Sequence, residues 1–395
     1  MPAKIRNAYG RGPALALTAL LLIAAPATRA FAQGPPDRDY LVYVLSESSD
    51  KISVVRFGPG GGRVDKEFST GAMPIDVDGP HGIVFSPDKQ FYYVSLGHGR
   101  PFGAVWKYSS KDDRVVGRVT LGHFPATVDV TRDGQFLYVA NFNLHGDMVP
   151  SSVSIVATDL MMEVARVKTC IMPHGSRINP QGSRHYSVCM MDDRLVEIDT
   201  STFKVSRSFV LTRGREKGEG GPPPVNESQK HSAHDMSGHG EEPPKRNDPS
   251  CSPTWAQPSP DGNSIYVACN KSDEIVEIDA AWKVARRMPA RGGVYNLAVT
   301  KDNRLVATNK RDQSISVFDL RSGRELARIP TRRRVLHGAT VSSDDRYAFV
   351  SVEGVGSEPG TVEVVDLKSL KIVASIDVAP QAAGIEFFRT EPPLK

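Results

Sequence analysis

Residues 253–270 read PTWAQPSPDGNSIYVACN: a short apolar run, a Pro-Asp-Gly turn, and a second apolar run that ends on a small polar residue. The phrase recurs at 80–96 (PHGIVFSPDKQFYYVSL), 125–141 (PATVDVTRDGQFLYVAN) and 173–190 (PHGSRINPQGSRHYSVCM), and in weaker form at 294–309 and 336–352. A repeat of this length has to be read first, because it decides the fold and superimposes residues that lie far apart along the chain.

Each unit reads as four short alternating strands separated by turn residues, the pattern of an all-β protein. In the fourth unit the first strand is expected to start at Arg177, turn at Asn179–Gly182 and return over His185–Cys189. Third and fourth strands are expected over Leu195–Ile198 and Val205–Leu211. Helical periodicity is absent beyond the N-terminal segment. Four strands in about forty to fifty residues make one blade, so the expectation is a seven-bladed β-propeller with four antiparallel strands per blade. The seventh copy is split. Residues Tyr40–Thr70 supply only three strands, while Ala383–Phe388 (AGIEFF) matches only a first strand. The C-terminal strand should therefore join the N-terminal blade, closing the ring and removing open sheet edges. Residues 33–390 are read as one propeller, with residues 214–250 inserted as a flexible loop between blades 4 and 5; that segment is rich in Gly, Pro, Lys and Glu and lacks an apolar period.

The first 32 residues stand apart. Lys4, Arg6 and Arg11 precede an apolar core over Ala14–Ala25 and an Ala30-Phe31-Ala32 cleavage pattern, the layout of a Sec-type signal peptide that leaves a mature chain starting at Gln33. The apolar core is too short to favour the alternative of a membrane anchor. The protein is expected to be periplasmic or secreted, monomeric and without a membrane span once the signal is removed. Lys4, Arg6, Arg11 and Arg29 account for the whole formal charge of +4, so the remainder is balanced. No basic stripe with interleaved aromatics supports nucleic-acid binding, and Arg332-Arg333-Arg334 reads as a solvated loop.

The phrases Leu137-Tyr138-Val139-Ala140-Asn141 and Ile265-Tyr266-Val267-Ala268 are similar to those of the YVTN-type seven-bladed β-propeller family, and the resemblance covers Asp39 to Phe388 apart from the insertion. That family resembles both lactonase-like propellers and the propeller domains of periplasmic redox proteins. Its motifs are turn and core residues, so the resemblance implies a fold and carries over no catalytic residue.

One face, here called the top, carries the first-strand starts and the loops between second and third strands. Its loops are long at 96–103, 141–148 and 353–360, and Met172, Met190 and Met191 fall beside them. The insertion opens on the same face and contains His231, His234, Met236 and His239. Imidazole and thioether donors there point to a transition metal, copper favoured; the plainer reading is a polar loop that contains histidine. A second candidate set comes from superposition. The residue just before each first strand, in blades one to seven, is Ala383, His81, Ala126, His174, Thr254, Tyr295 and His337. Three imidazoles from three sectors could share a metal and leave a position open. They resemble the histidine-lined centres on the propeller axes of nitrous oxide reductase and carotenoid-cleaving oxygenases, whose wider motifs are absent here. The plainer reading makes Pro-His-Gly a loop convention, each histidine bonding the next blade's backbone.

Cys170, Cys189, Cys251 and Cys269 lie on the same face as two similarly placed pairs. Export favours disulfides Cys170–Cys189 and Cys251–Cys269, with thiolate ligation of copper as the alternative. No haem c, nucleotide or flavin motif is present, nor a carboxylate pair or nucleophile elbow. Three functions stay open: a metal-binding propeller that handles metal or serves a periplasmic redox partner, a metal-dependent hydrolase or oxidoreductase at the channel mouth, and an interaction scaffold without metal.

Overall fold

Seven antiparallel sheets, each built on four strands with a fifth added in one, follow one another around a central axis. The computed structural model describes Met1 and residues 34–71, 77–98, 102–223 and 249–394. The signal segment therefore lies outside the described residues, as do His231, His234, Met236 and His239. Among the described residues no helix is long and apolar enough to cross a membrane.

The innermost strands are Ala382–Glu391, Pro80–Phe85, Pro125–Val130, Pro173–Ile178, Pro253–Pro258, Val294–Val299 and Leu336–Val341, in blades one to seven. Blade 1 is closed as the split repeat requires. Ala382–Glu391 pairs antiparallel with Asp39–Ser46, setting Tyr40 opposite Thr390 and Val44 opposite Ile385.

The two-residue period of a strand explains why the second strands read as nearly unbroken apolar runs. Tyr40, Val42 and Val44 pack toward blade 7, against Tyr347, Phe349, Val362 and Val364. The alternate residues Leu41, Tyr43 and Leu45 pack toward blade 2, against Ile83, Phe85, Tyr92 and Val94. Both faces of the strand are buried, so both sets must be apolar. The outermost strands alternate partly buried and exposed residues, as in Val115–Thr120.

The repeated turn has a mechanism of its own. The Ser86 hydroxyl donates to Asp88 at 2.6 Å and accepts the Phe91 N–H at 3.0 Å. Thr131 with Asp133, Ser259 with Asp261, Thr300 with Asp302 and Ser342 with Asp344 repeat the first of these bonds. In blade 4 Asn179 replaces the hydroxyl, its Oδ1 accepting the N–H groups of Ser183 and Arg184. A short polar side chain that bonds its own turn is the reason these residue types recur.

Two sequence-based boundaries need correction. The first strand of blade 4 starts at Pro173 and not Arg177, because Pro173 and His174 already pair with Cys189 and Val188 before a register shift. The superposed residues thus sit inside the first strands. The insertion is also partly ordered: Lys217–Gly220 pairs with Arg207–Val210 as a fifth strand of blade 4.

Both disulfides form with the expected connectivity, Cys170–Cys189 and Cys251–Cys269. Cys170, in the outermost strand of blade 3 (Met162–Ile171), is joined to the end of the second strand of blade 4, and Cys251, just before the first strand of blade 5, to the end of the second strand of that blade. With no free cysteine left, the thiolate alternative is excluded. Disulfides of this kind suit an oxidising, exported compartment.

Candidate functional site on the propeller axis

Glycine after the histidine allows the inner strands to converge. A Cβ at Gly82 would collide with the Ala126 carbonyl, and one at Gly384 with the carbonyl of His81. Hydroxyls on the second strands then lace neighbouring blades together. Ser95 accepts the Gly82 N–H at 2.8 Å and donates to the Ala126 carbonyl at 2.8 Å. Thr308 likewise donates to the carbonyl of His337 at 3.0 Å, which fixes that residue's backbone.

The three superposed histidines meet on the axis. The His81 and His337 ring centres are 5.1 Å apart, and those of His81 and His174 are 6.1 Å apart. Tyr295 completes the circle, 4.9 Å from His337 and 5.7 Å from His174. All three histidines are at most 8 % exposed.

Each of these rings has its Nδ1 held by an oxygen acceptor, so Nδ1–H donates. His81 donates to Glu47 Oε2 at 3.1 Å, His337 to Glu353 Oε1 at 2.9 Å, and His174 to the Thr254 carbonyl at 2.7 Å. Only the last follows the convention of bonding the next blade's backbone; the other two bond carboxylates. The Nε2 atoms of His81 and His337 have no partner among the described residues, and that of His174 is 3.4 Å from the Tyr295 hydroxyl. With Nδ1 engaged in this way, Nε2 is the ring nitrogen left for another partner.

The carboxylates are ionised in place. Burial pushes Glu47 up, but His81 and the hydrogen bonds from His81 and His98 outweigh it and hold the carboxyl well below its usual range. Burial opposes ionisation of Glu353 as well, and His337 and Lys310 bring it down to about 2. Glu47 also accepts from His98 Nε2 at 2.8 Å, and its own N–H donates to Gln381 on the closing segment. Lys310 reaches Glu353 Oε1 at 2.7 Å and lies 4.5 Å from the Tyr295 ring centre. Burial lowers His174 to about 3, and lowers His337 to about 4 with help from Lys310.

Blade 3 supplies an apolar wall. Phe124 stands 5.5 Å from His81, and Phe142 stands 5.0 Å from His174. Met172 packs into the same cluster with Met190 and Met191 against it, which gives these methionines a packing role.

The superposition that found the histidines missed their partners. The residue that follows each second strand is Glu47 in blade 1, Lys310 in blade 6 and Glu353 in blade 7. The same ruler applied at that position would have shown charged residues where the other blades carry Gly97, Phe142, Met190 and Asn270.

His185 is a different kind of histidine. It is fully buried, stacked 4.7 Å from Tyr138, with Nε2 donating to the Ser176 hydroxyl at 2.5 Å and Nδ1 unpartnered. Burial depresses it to about 3. The unfolded chain, with an ordinary value near 6.5, takes up the proton first as pH falls. His185 therefore contributes stability that is complete above about pH 6.5 and is lost toward pH 3, at up to about 1.4 kcal/mol per pH unit. Replacing His185→Gln should make the fall in stability across that window shallower by about one proton, measured by urea unfolding at successive pH values. An unchanged slope would refute this assignment.

No protein-family model matches the chain, and no curated protein matches it. Solved structures do match. The periplasmic gluconolactonase of Pseudomonas aeruginosa is 17 % identical with a TM-score of 0.64, over 90 % of this chain and all of that one. A putative 6-phosphogluconolactonase of Bacteroides uniformis is 16 % identical with a TM-score of 0.63, over 88 % and 99 %. The structural neighbours include lactonase-like propellers. Hydrazine synthase of Kuenenia stuttgartiensis also matches, at 19 % identity and a TM-score of 0.59, over 82 % of this chain and all of that one. At these identities the likeness concerns the fold.

Proposed function

We propose that this protein is an exported propeller of the YVTN type that binds one divalent transition-metal ion between His81, His174 and His337, leaving a coordination position open to a small ligand. One observation carries the reading: three converging imidazoles, each with its Nδ1–H engaged by an oxygen acceptor and its Nε2 left to the axis. Metal-binding histidines take this form, because the outer acceptor fixes the tautomer and raises the basicity of the other nitrogen.

Among the described residues no three His, Cys, Asp or Glu side chains are already gathered into a metal-holding group. The shortfall is in one ring. Imidazoles sharing an ion at about 2 Å stand with ring centres about 5 Å apart. His81 and His337 already match this at 5.1 Å, and His174 at 6.1 Å would have to move inward, exchanging its long contact with Tyr295 for the ion. A three-nitrogen site suits Zn2+, Co2+ or Cu2+, with copper still the candidate for His231, His234, Met236 and His239 of the insertion. The open position fits metal-assisted chemistry or service to a periplasmic redox partner.

Chelator-treated protein titrated with Zn2+ and Co2+ should take up one ion per chain, and His174→Ala or His337→Ala should abolish uptake while leaving the thermal transition in place. Equal uptake by wild type and the His81→Ala/His174→Ala/His337→Ala variant would overturn the axial site. Uptake lost only on deleting residues 231–239 would move the metal to the insertion.

A further inference from the structure

Away from the axis, the top face carries an open pocket of about 470 Å3 where blades 5, 6 and 7 meet. It is lined by Asn270 of blade 5, Lys310 and Arg311 of blade 6, and Arg334, Val335 and Val355 of blade 7. A pocket of this volume lies within the roughly 300–1,000 Å3 range of small-molecule sites. Three of its six lining residues are cations and none is a carboxylate.

The cations are held in different ways. Lys310 donates to Glu353 Oε1 at 2.7 Å. Arg311 is fixed from one side: its Nη1 donates to Asn270 Oδ1 at 3.0 Å, and its Nη2 to the Asn270 carbonyl at 3.0 Å and to Asp273 Oδ1 at 2.8 Å. Arg334 is exposed, and its guanidinium has no hydrogen bond or ion pair among the described residues. The run Arg332-Arg333-Arg334 therefore divides. Arg332 and Arg333 both bond Asp377 on the outermost strand of blade 7, and Arg334 lines the pocket. Carboxylates close by along the chain are already engaged. Glu353 accepts from Lys310 and His337, Asp273 from Arg311 and the Gly293 N–H, and Glu358 from the Val355 N–H.

The backbone beneath Arg334 adds a second observation. Val335 has φ of 68°, and its carbonyl accepts the Glu353 N–H at 2.9 Å. The other six blades repeat this turn with a left-handed residue, which in blades 2 and 6 is Gly79 and Gly293. Glycine takes that conformation without strain, whereas a β-branched residue there is an outlier of the kind found at functional sites. Blade 7 alone places valine at this turn, and its side chain lines the pocket together with Val355, which is 44 % exposed.

We propose that this pocket binds a small organic anion bearing two or more oxyanion groups, carboxylate or phosphate. The Arg334 fork takes one group in a bidentate contact, Arg311 and Lys310 hold the next, and the two valines contact the carbon skeleton. The site needs no metal and does not rest on the axial reading. Lys310 is the residue the two regions share, because its partner Glu353 also holds His337.

The test titrates citrate, inorganic phosphate and acetate into the mature protein without added metal, followed by calorimetry at about 0.15 M salt, where exposed charges beyond about 8 Å are screened. Citrate or phosphate should bind saturably, and acetate at least about tenfold more weakly. Arg334→Gln removes an exposed side chain with no bonded partner, so it should fold as wild type and weaken the anion by at least about tenfold. Arg332→Gln, whose guanidinium lies on Asp377, should leave the affinity unchanged. Tighter citrate assigns carboxylates to the ligand, and tighter phosphate assigns a phosphate ester. No saturable binding of either at up to about 10 mM would overturn the site. So would equal weakening by Arg332→Gln and Arg334→Gln, which would mean a diffuse basic surface. Metal uptake at the axis is measured separately and is decided by neither result.

Discussion

A chain ending at Gln381 is expected to lose cooperative folding. The missing segment holds the innermost strand of blade 1, Ala382–Glu391, and without it that sheet keeps three strands and exposes the edge of Asp39–Ser46. Ile385, Phe387 and Phe388 are all at most 7 % exposed and pack into the seams on both sides of blade 1. Losing three large buried side chains costs about 1.5–3 kcal/mol each, a sum comparable to the roughly 5–15 kcal/mol that holds a domain together. A buried clamp is lost as well: Arg56 on the third strand of the blade, Lys51–Gly58, bonds Asp39, Asp65 and Glu391, and Glu391 belongs to the closing strand. Circular dichroism and urea unfolding of the truncated protein should show no sharp transition, and the exposed edge should drive aggregation. Adding a peptide of residues 382–394 during refolding should recover part of the transition. A truncated chain unfolding cooperatively within about 1 kcal/mol of the full protein would mean that closure is not what stabilises the ring.

That closure was legible in the sequence because it is a local pattern. AGIEFF repeats HGIVF, and a three-strand remainder leaves one place for it. Turn chemistry and disulfides were legible for the same reason: the Ser-x-Asp turns act over a few residues, and the cysteine pairs over at most 19 positions. The axial histidines were found by superposition, which converts a seven-fold architecture into a residue column. Whether they pointed inward was beyond period-two reasoning, since the inner strands carry register shifts near their starts, as between His174 and Arg177 or between Leu336 and Ala339. The partners were missed because they lie far along the chain: Glu47 comes from the blade before that of His81, and Glu353, although in the same blade as His337, is 16 positions away. Glu47 and His81 are 34 positions apart, and Lys310 and Glu353 are 43 apart. Such pairs have no local signature.

The charged partners of the axial site should separate stability from binding. Glu353→Leu removes the acceptor for both Lys310 Nζ and His337 Nδ1. Lys310 then keeps the Tyr295 ring and the more distant charge of Glu47, but no hydrogen-bonded acceptor among the described residues. Stranding one member of a fully buried ion pair costs about 3–5 kcal/mol, and with the Lys310 side chain 28 % exposed the expected loss is nearer about 2–3 kcal/mol. Adding Lys310→Met should restore most of it, since replacing both charges by apolar groups of similar size removes the uncompensated ion. Metal affinity should behave otherwise. In the Glu353→Leu/Lys310→Met protein His337 still lacks its acceptor, so affinity should remain down by about 10–100-fold despite recovered stability. In Lys310→Met alone the Glu353–His337 bond remains, and affinity should stay close to wild type. Urea unfolding and Co2+ titration of the four proteins form a closed double-mutant cycle. If affinity recovers together with stability in the double variant, Glu353 serves only to neutralise Lys310. If affinity stays low while stability returns, the carboxylate orients His337, and the buried charge is retained for the site rather than for the fold.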